Sequence, residues 1–176
     1  VMLTEQVIEQ QRPSSGDRDL GLESNRQELM VVCDPLRIRQ VLTNLINNAI
    51  RYSPPSTTIS VGLTLEWASR IAKHHPLFAE NMPGWQEKQY EDELMALIWV
   101  QDQGSGISAE QASRLFKRYA RGQERQGEGL GLGLYLSHEF VTRHGGAIWV
   151  ESQLEQGSTF YVALPLEQPE EPLPDL

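Results

Sequence analysis

Residues 34–55, DPLRIRQVLTNLINNAIRYSPP, carry their own start and stop signals: Asp34 followed by Pro35 at one end, Pro54 and Pro55 at the other. Proline is tolerated in the first turn of a helix, where its missing N–H has no partner to lose, and is excluded from the interior. Ile38, Leu42, Leu45 and Ala49 fall at i, i+4, i+7 and i+11 and so share one side of a helix. This predicts an amphipathic helix that must lay its apolar stripe on another layer. With 39% hydrophobic residues in 176, the chain has enough material for one such core.

The partner layer is legible as strands. ELMVVCD (28–34), TTISVGLTLEW (57–67), LMALIWVQD (94–102), AIWVES (147–152) and STFYVALPL (158–166) are apolar or β-branched runs bounded by turn residues, the pattern of strands. LTEQVIEQQRP (3–13), AEQASRLFKRYARG (109–122) and LYLSHEFVTRHGG (134–146) have helical spacing, the last closed by glycine. SSGDRDLGLESNRQ (14–27) reads as a polar connection. Residues 67–93 read as an insertion broken by Pro76, Pro83 and Gly84, and the acidic, proline-rich 167–176 as a disordered tail.

Composition narrows the function. A formal net charge of −9, with twelve dispersed arginines and three lysines, argues against a nucleic-acid surface. Cys33 is the single cysteine, which leaves no disulfide framework or cysteine zinc site and fits a reducing, cytoplasmic compartment. No run of about 18 apolar residues or signal sequence appears, so no membrane contact is expected of this sequence.

Three stretches carry chemistry. GEGLGLGLYL (127–136) runs glycines into a helix start, where free N–H groups and the positive dipole end favour an anion such as phosphate. It lacks the lysine of a Walker loop and the final glycine of a dinucleotide fingerprint, and it equally fits a tight turn without ligand. Asn44 and Asn48, with Arg51 and Tyr52 a turn further, share a helix face. Amide oxygens suit magnesium, arginine holds phosphate and an aromatic ring lies against a base; a solvated polar face is the alternative. In VQDQGSGI (100–107), Asp102 ends an apolar strand and Gly104 and Gly106 permit close approach. A carboxylate there can accept from an exocyclic amine, or simply start a turn.

In this order, the stretches resemble the ATP-binding domain of sensor histidine kinases, within the ATPase family that includes gyrase, the heat-shock chaperone and the mismatch-repair ATPase. RQVLTNLINNAIRYSP resembles the asparagine box, DQGSGI and GEGLGLGL the two glycine boxes, LFKRYARG the phenylalanine box, and HGGAIWVESQLEQGSTFYVALPL the closing segment. The resemblance implies a two-layer α/β sandwich over residues 1–166, with helices on one face of a mixed, mostly antiparallel sheet and a mobile ATP lid. It implies ATP and Mg2+ as ligands, with Asn48 on the metal and Asn44 beside metal and phosphates, and Arg51 near phosphate. Tyr52, Asp102, Gly104, Gly106 and Ile107 would surround adenine, with Thr159 at the back of its site. Gly129, Leu130, Gly131, Leu132 and Gly133 would form the hinge and helix start around the phosphates. Phe116, Arg118, Tyr119 and Arg121 would belong to the lid, the two arginines being its cationic, catalytic positions.

Two departures stand out: Glu128 inside the second glycine box, and the length of 67–93. The resemblance further implies transfer of the γ-phosphoryl group to a histidine on a dimerisation domain of the same full-length kinase, outside this sequence, and onward to a response-regulator receiver domain. A stand-alone ATPase and a non-catalytic nucleotide-binding docking module are the rival functions. Asn44 stands where the ATPases of this family have a water-activating glutamate, and an amide cannot act as a general base.

Overall fold

The computed structural model describes residues 1–24, 28–85, 93–117 and 132–166. Five strands form one mixed sheet: β1 (Asp19–Ser24), β2 (Thr58–Trp67), β3 (Leu94–Asp102), β4 (Ala147–Gln153) and β5 (Gly157–Pro165), in the spatial order β1-β2-β3-β5-β4. The β1–β2 pair is parallel and the other three are antiparallel. β4 and β5 are joined by a tight hairpin, Leu154 to Gln156.

Helix α1 (Met2–Gln11) and helix α2 (Pro35–Tyr52) cover one face with α6 (Gly133–Arg143). Asp34 caps α2 as its sequence demands, its Oδ1 accepting from the N–H of Leu36 at 2.9 Å and Arg37 at 3.2 Å. The stripe Ile38, Leu42, Leu45 and Ala49 is buried, and it meets Ile59, Val61, Ile98, Val100, Phe160 and Val162 from alternate strand positions. The sandwich expected from the sequence is therefore present.

The segment read as an insertion adds to it. α3 (Ala68–His74) and α4 (Pro76–Asn81) pack on the opposite face of the sheet, where Ile71, Phe78 and Met82 form a second core with Met95, Leu97 and Trp149. Trp149 stacks on Tyr161, with centroids 5.1 Å apart and planes at 11°, and Phe78 meets it edge-on at 5.6 Å. His75, between the two helices, bonds Glu151 of β4 through Nδ1 at 2.9 Å. Covering both faces explains why β3 reads as an unbroken apolar run rather than an alternation.

Three sequence expectations need correction. DLGLES, placed in a polar connection, is strand β1. Residues 28–34, expected as a strand, run without regular secondary structure. They alternate, with Leu29, Val31 and Cys33 against the main core and Met30 and Val32 exposed, and Val32 N–H reaches Leu166 O at 3.0 Å. Of the helix expected over 109–122, residues 118–122 lie outside the described residues, and the described part holds α5 (Ala109–Ala112), opened by a reciprocal Ser108–Gln111 capping box. It is followed by turns through Lys117 with bonds such as Leu115 N–H to Ala112 O.

His144, capping α6, ties that helix to α2. Its Nε2 accepts from the Asp34 N–H at 2.9 Å, so the ring proton sits on Nδ1 and is donated to Phe140 O at 2.6 Å. Replacing His144 with Ala removes both bonds and leaves the Asp34 N–H without this acceptor. The expected loss is about 1–2 kcal/mol, read as a lower urea midpoint with unchanged slope.

Candidate functional site

The ends of α2 and β3 converge. Asp102, the last residue of β3, is 6% exposed, and its Oδ1 accepts from the Gly104 N–H at 2.7 Å. Burial pushes this carboxyl above its ordinary range, while the backbone N–H groups of Gly104 and Ser158 pull it part of the way back. Gly104 is needed here on steric grounds: a Cβ would lie 2.7 Å from Tyr52 O and 2.8 Å from Asp102 Oδ1. The loop after β3 thus lies directly against the C-terminus of α2. Arg18 holds that terminus, its Nε and Nη2 donating to Ser53 O at 3.0 and 2.6 Å.

On α2, Asn44 donates through Nδ2 to Gly133 O at 3.1 Å and to Ser137 Oγ at 3.2 Å. A carbonyl can only accept, so the amide nitrogen is the atom bonded to the Gly133 carbonyl, and the amide oxygen takes no part in that bond. Ser137 is fully buried and itself donates to Gly133 O at 2.9 Å. Asn48 follows one turn later, half-buried. Arg51 and Tyr52 are exposed at the helix end, the guanidinium carbon 5.8 Å from the Tyr52 ring centroid. Leu132 and Gly133 open α6, with the Asn44 amide 3.5 Å from the position of a Gly133 Cβ. Phe116 packs on the main core beside α6, its ring 6.0 Å from that of His138.

The loop 103–107 is fastened on its other side to the β4–β5 hairpin. The Ile107 N–H donates to Ser152 Oγ at 2.8 Å and the Glu155 N–H to Ser105 O at 2.8 Å. Gly106, at φ +68°, approaches so closely that a Cβ would collide with Gln153 O.

The structure thus brings Asn44 to Gly133 at the start of α6, Tyr52 to Gly104 and Asp102 at the end of β3, and Gly106 and Ile107 to the β4–β5 hairpin, with Asn48 and Arg51 on α2 between the first two contacts. Thr159 lies at the margin of this region, where it lines with Asp102, Ser152 and Ser158 a cavity of ≈ 300 Å³ at the end of the sheet. In the register of β3 with β5, Asp102 faces Ser158, and Thr159 pairs with Gln101 on the opposite side of the sheet. There Thr159 lines a shallow cavity of ≈ 250 Å³ with His75, Leu97, Trp99, Gln101 and Tyr161. Period-two alternation already contained this: Phe160, Val162 and Leu164 point to the main core, and so must Ser158. Arg118, Tyr119, Arg121, Glu128, Gly129, Leu130 and Gly131 lie outside the described residues. Ser137, Ser152 and Gly157, which fix the geometry of the site, were not singled out from sequence, because isolated serines and hairpin glycines carry no spacing signal.

Comparison with known proteins places this arrangement in a family. The adaptive-response sensory kinase SasA of Synechococcus elongatus is 33% identical over 167 residues, covering 93% of this chain and 37% of the relative. The sensor histidine kinase GacS of Pseudomonas protegens is 30% identical over 151 residues, 84% of this chain and 14% of the relative. The chain thus spans little more than a third, or less, of these relatives' length. Two solved structures share its fold. One is a mycobacterial sensor histidine kinase, MprB, with TM-score 0.67 and 22% identity over 96% of this chain and 95% of that one. The other is full-length ShkA in complex with AMPPNP, with TM-score 0.69 and 21% identity over 97% of this chain and 31% of that one. The family model described as histidine kinase-, DNA gyrase B- and HSP90-like ATPase matches residues 33–168, from the cap of α2 past the end of β5, and the chain belongs to that family.

Proposed function

We propose that residues 1–166 form the catalytic ATP-binding domain of a two-component sensor kinase. In this reading the domain binds Mg-ATP and donates the γ-phosphoryl group to a histidine on a dimerisation domain of the same full-length kinase, from which a response-regulator receiver domain takes it. The observation that carries the nucleotide reading is Asp102: a buried carboxylate at a strand end, with Oδ1 engaged by Gly104, beside a glycine-lined approach. An ionised carboxylate is an acceptor only, which suits the amine of adenine and opposes the carbonyl that guanine carries at that position.

The residues present fit the metal and triphosphate as well. With its nitrogen bonded to α6, Asn44 keeps its amide oxygen as an acceptor, and Asn48 supplies a second amide on the same helix face. Magnesium, when bound, neutralises triphosphate charge; the chain's part is positioning, which phosphoryl transfer requires above covalent help. Arg51, and the lid residues Arg118 and Arg121, complete the cationic surroundings in this proposal. The bonding of Asn44 to α6 gives it a scaffolding task with no basic group for water, which favours transfer over stand-alone hydrolysis.

Calorimetric titration with a non-hydrolysable ATP analogue, with and without Mg2+ and with a GTP analogue as control, tests the reading. Magnesium-dependent, adenine-selective binding is expected, and no binding under any of these conditions would refute it. In the same assay, Asn48→Ala should make affinity insensitive to added Mg2+; a variant that keeps the wild-type metal response would remove Asn48 as the ligand.

A further inference from the structure

Ser152, near the end of β4, engages three groups at once. Its Oγ lies 2.8 Å from the Ile107 nitrogen, 2.9 Å from Gly157 O and 2.9 Å from Ser158 Oγ. A serine hydroxyl has one proton and two lone pairs. The Ile107 N–H can only donate and the Gly157 carbonyl can only accept, so Ser152 gives its proton to Gly157 and one lone pair to Ile107. Ser158 then completes the set by donating into the remaining lone pair. The direction of the chain is fixed: Ser158 O–H to Ser152 O–H to Gly157 C=O.

This direction has a chemical result. Ser158 stands opposite Asp102 across the β3–β5 pair and is 6% exposed. With its proton drawn toward Ser152, its hydroxyl keeps its lone pairs, while its backbone N–H is the group that donates to the Asp102 carboxyl. The Ile107 bond meanwhile holds the 103–107 loop against the hairpin, with Glu155 N–H to Ser105 O as a second fastening. We propose that Ser152 is a positioning residue for purine selection. It fixes the loop after Asp102 and orients the Ser158 hydroxyl so that this wall presents acceptors to a purine bearing an exocyclic amine. The proposal rests on the nucleotide reading above and adds to it the residue that sets the wall's hydrogen-bond polarity.

The test compares wild type, Ser152→Ala and Ser152→Thr in the full chain. Thermal unfolding establishes that each variant folds, and amide exchange at Ile107 reports the loop without any nucleotide. Affinities are then measured for an ATP analogue and for the matching analogue with a 6-unsubstituted purine. In Ser152→Ala the Ile107 amide should exchange about tenfold faster. The same variant should bind the ATP analogue about fivefold more weakly, with a change below about twofold for the analogue lacking the amine. Ser152→Thr, which keeps the hydroxyl, should restore both properties. Equal losses for the two analogues, unchanged exchange at Ile107, or failure of threonine to rescue would overturn the proposal. Wild type binding neither analogue would instead bring down the nucleotide reading, and this proposal with it.

Discussion

Asp102→Asn should weaken ATP binding by more than about tenfold, or 1.4 kcal/mol, while leaving the fold as stable as before or more so. The two halves of this expectation come from the two oxygens of one side chain. The amide oxygen can replace Oδ1 in accepting the Gly104 N–H, now at 2.7 Å, so the loop keeps its anchor. That choice points the amide's NH2 at the position from which the adenine amine donates, setting donor against donor. Stability moves the other way. Burial raises the Asp102 carboxyl above its ordinary value, so the folded-state value exceeds the unfolded one near 3.9. Its contribution to stability is complete below that unfolded value and is lost as pH rises through the folded one. Above the folded value the buried charge is held at a cost, which the neutral amide removes. Titration calorimetry and thermal unfolding at pH 7 separate the effects; unchanged affinity would eliminate Asp102 as the adenine contact.

Gly157→Ala should cost about 3 kcal/mol, the sum of an unfavourable backbone and a steric overlap. Gly157 opens β5 at φ +93°, where a side chain is strained whatever the space around it. A Cβ there would collide with Asp102 O and lie 2.9 Å from the Asp102 carbonyl carbon and 3.0 Å from Gln103 Cα. All three are backbone atoms, which cannot rotate aside as a flexible side chain would. The expected result is a fall in Tm of roughly 6–12 °C, accompanied by lost nucleotide affinity because the displaced backbone is that of Asp102 itself. A variant of wild-type Tm would show that β3 and β5 separate more easily at this end than their register implies.

The parts of the fold legible in sequence were those whose signals are local. Asp34, Pro35 and Pro54 delimit α2 because caps and prolines act within one turn, and LMALIWVQD coincides with β3 residue for residue. β1 was hidden because Gly21 and the turn-forming residues before it mask the alternation of Leu20 and Leu22. Its strand character comes from parallel pairing with β2, a contact between residues almost forty positions apart. Residues 28–34 erred in the opposite sense, since alternating burial makes a segment look like a strand whether or not a neighbour completes a ladder. In the site, Asn44 and Asp102 announced themselves by spacing and by position at an element's end. Thr159 pairs with Gln101, one position along from the Asp102–Ser158 pair, and in a strand one residue is the other side of the sheet. The serines needed coordinates because a hydroxyl's role depends on which donors and acceptors tertiary structure brings to it.

The second core also determines what light can report. Of the four tryptophans, Trp85, Trp99 and Trp149 belong to the cluster beneath α3 and α4, and Trp67 lies at the end of β2 where that segment begins. None lines the region of Asn44 and Asp102. Intrinsic emission is therefore a built-in optical probe of the far layer, and a spectral change during a nucleotide titration would mark a disturbance that has travelled through the thickness of the sheet.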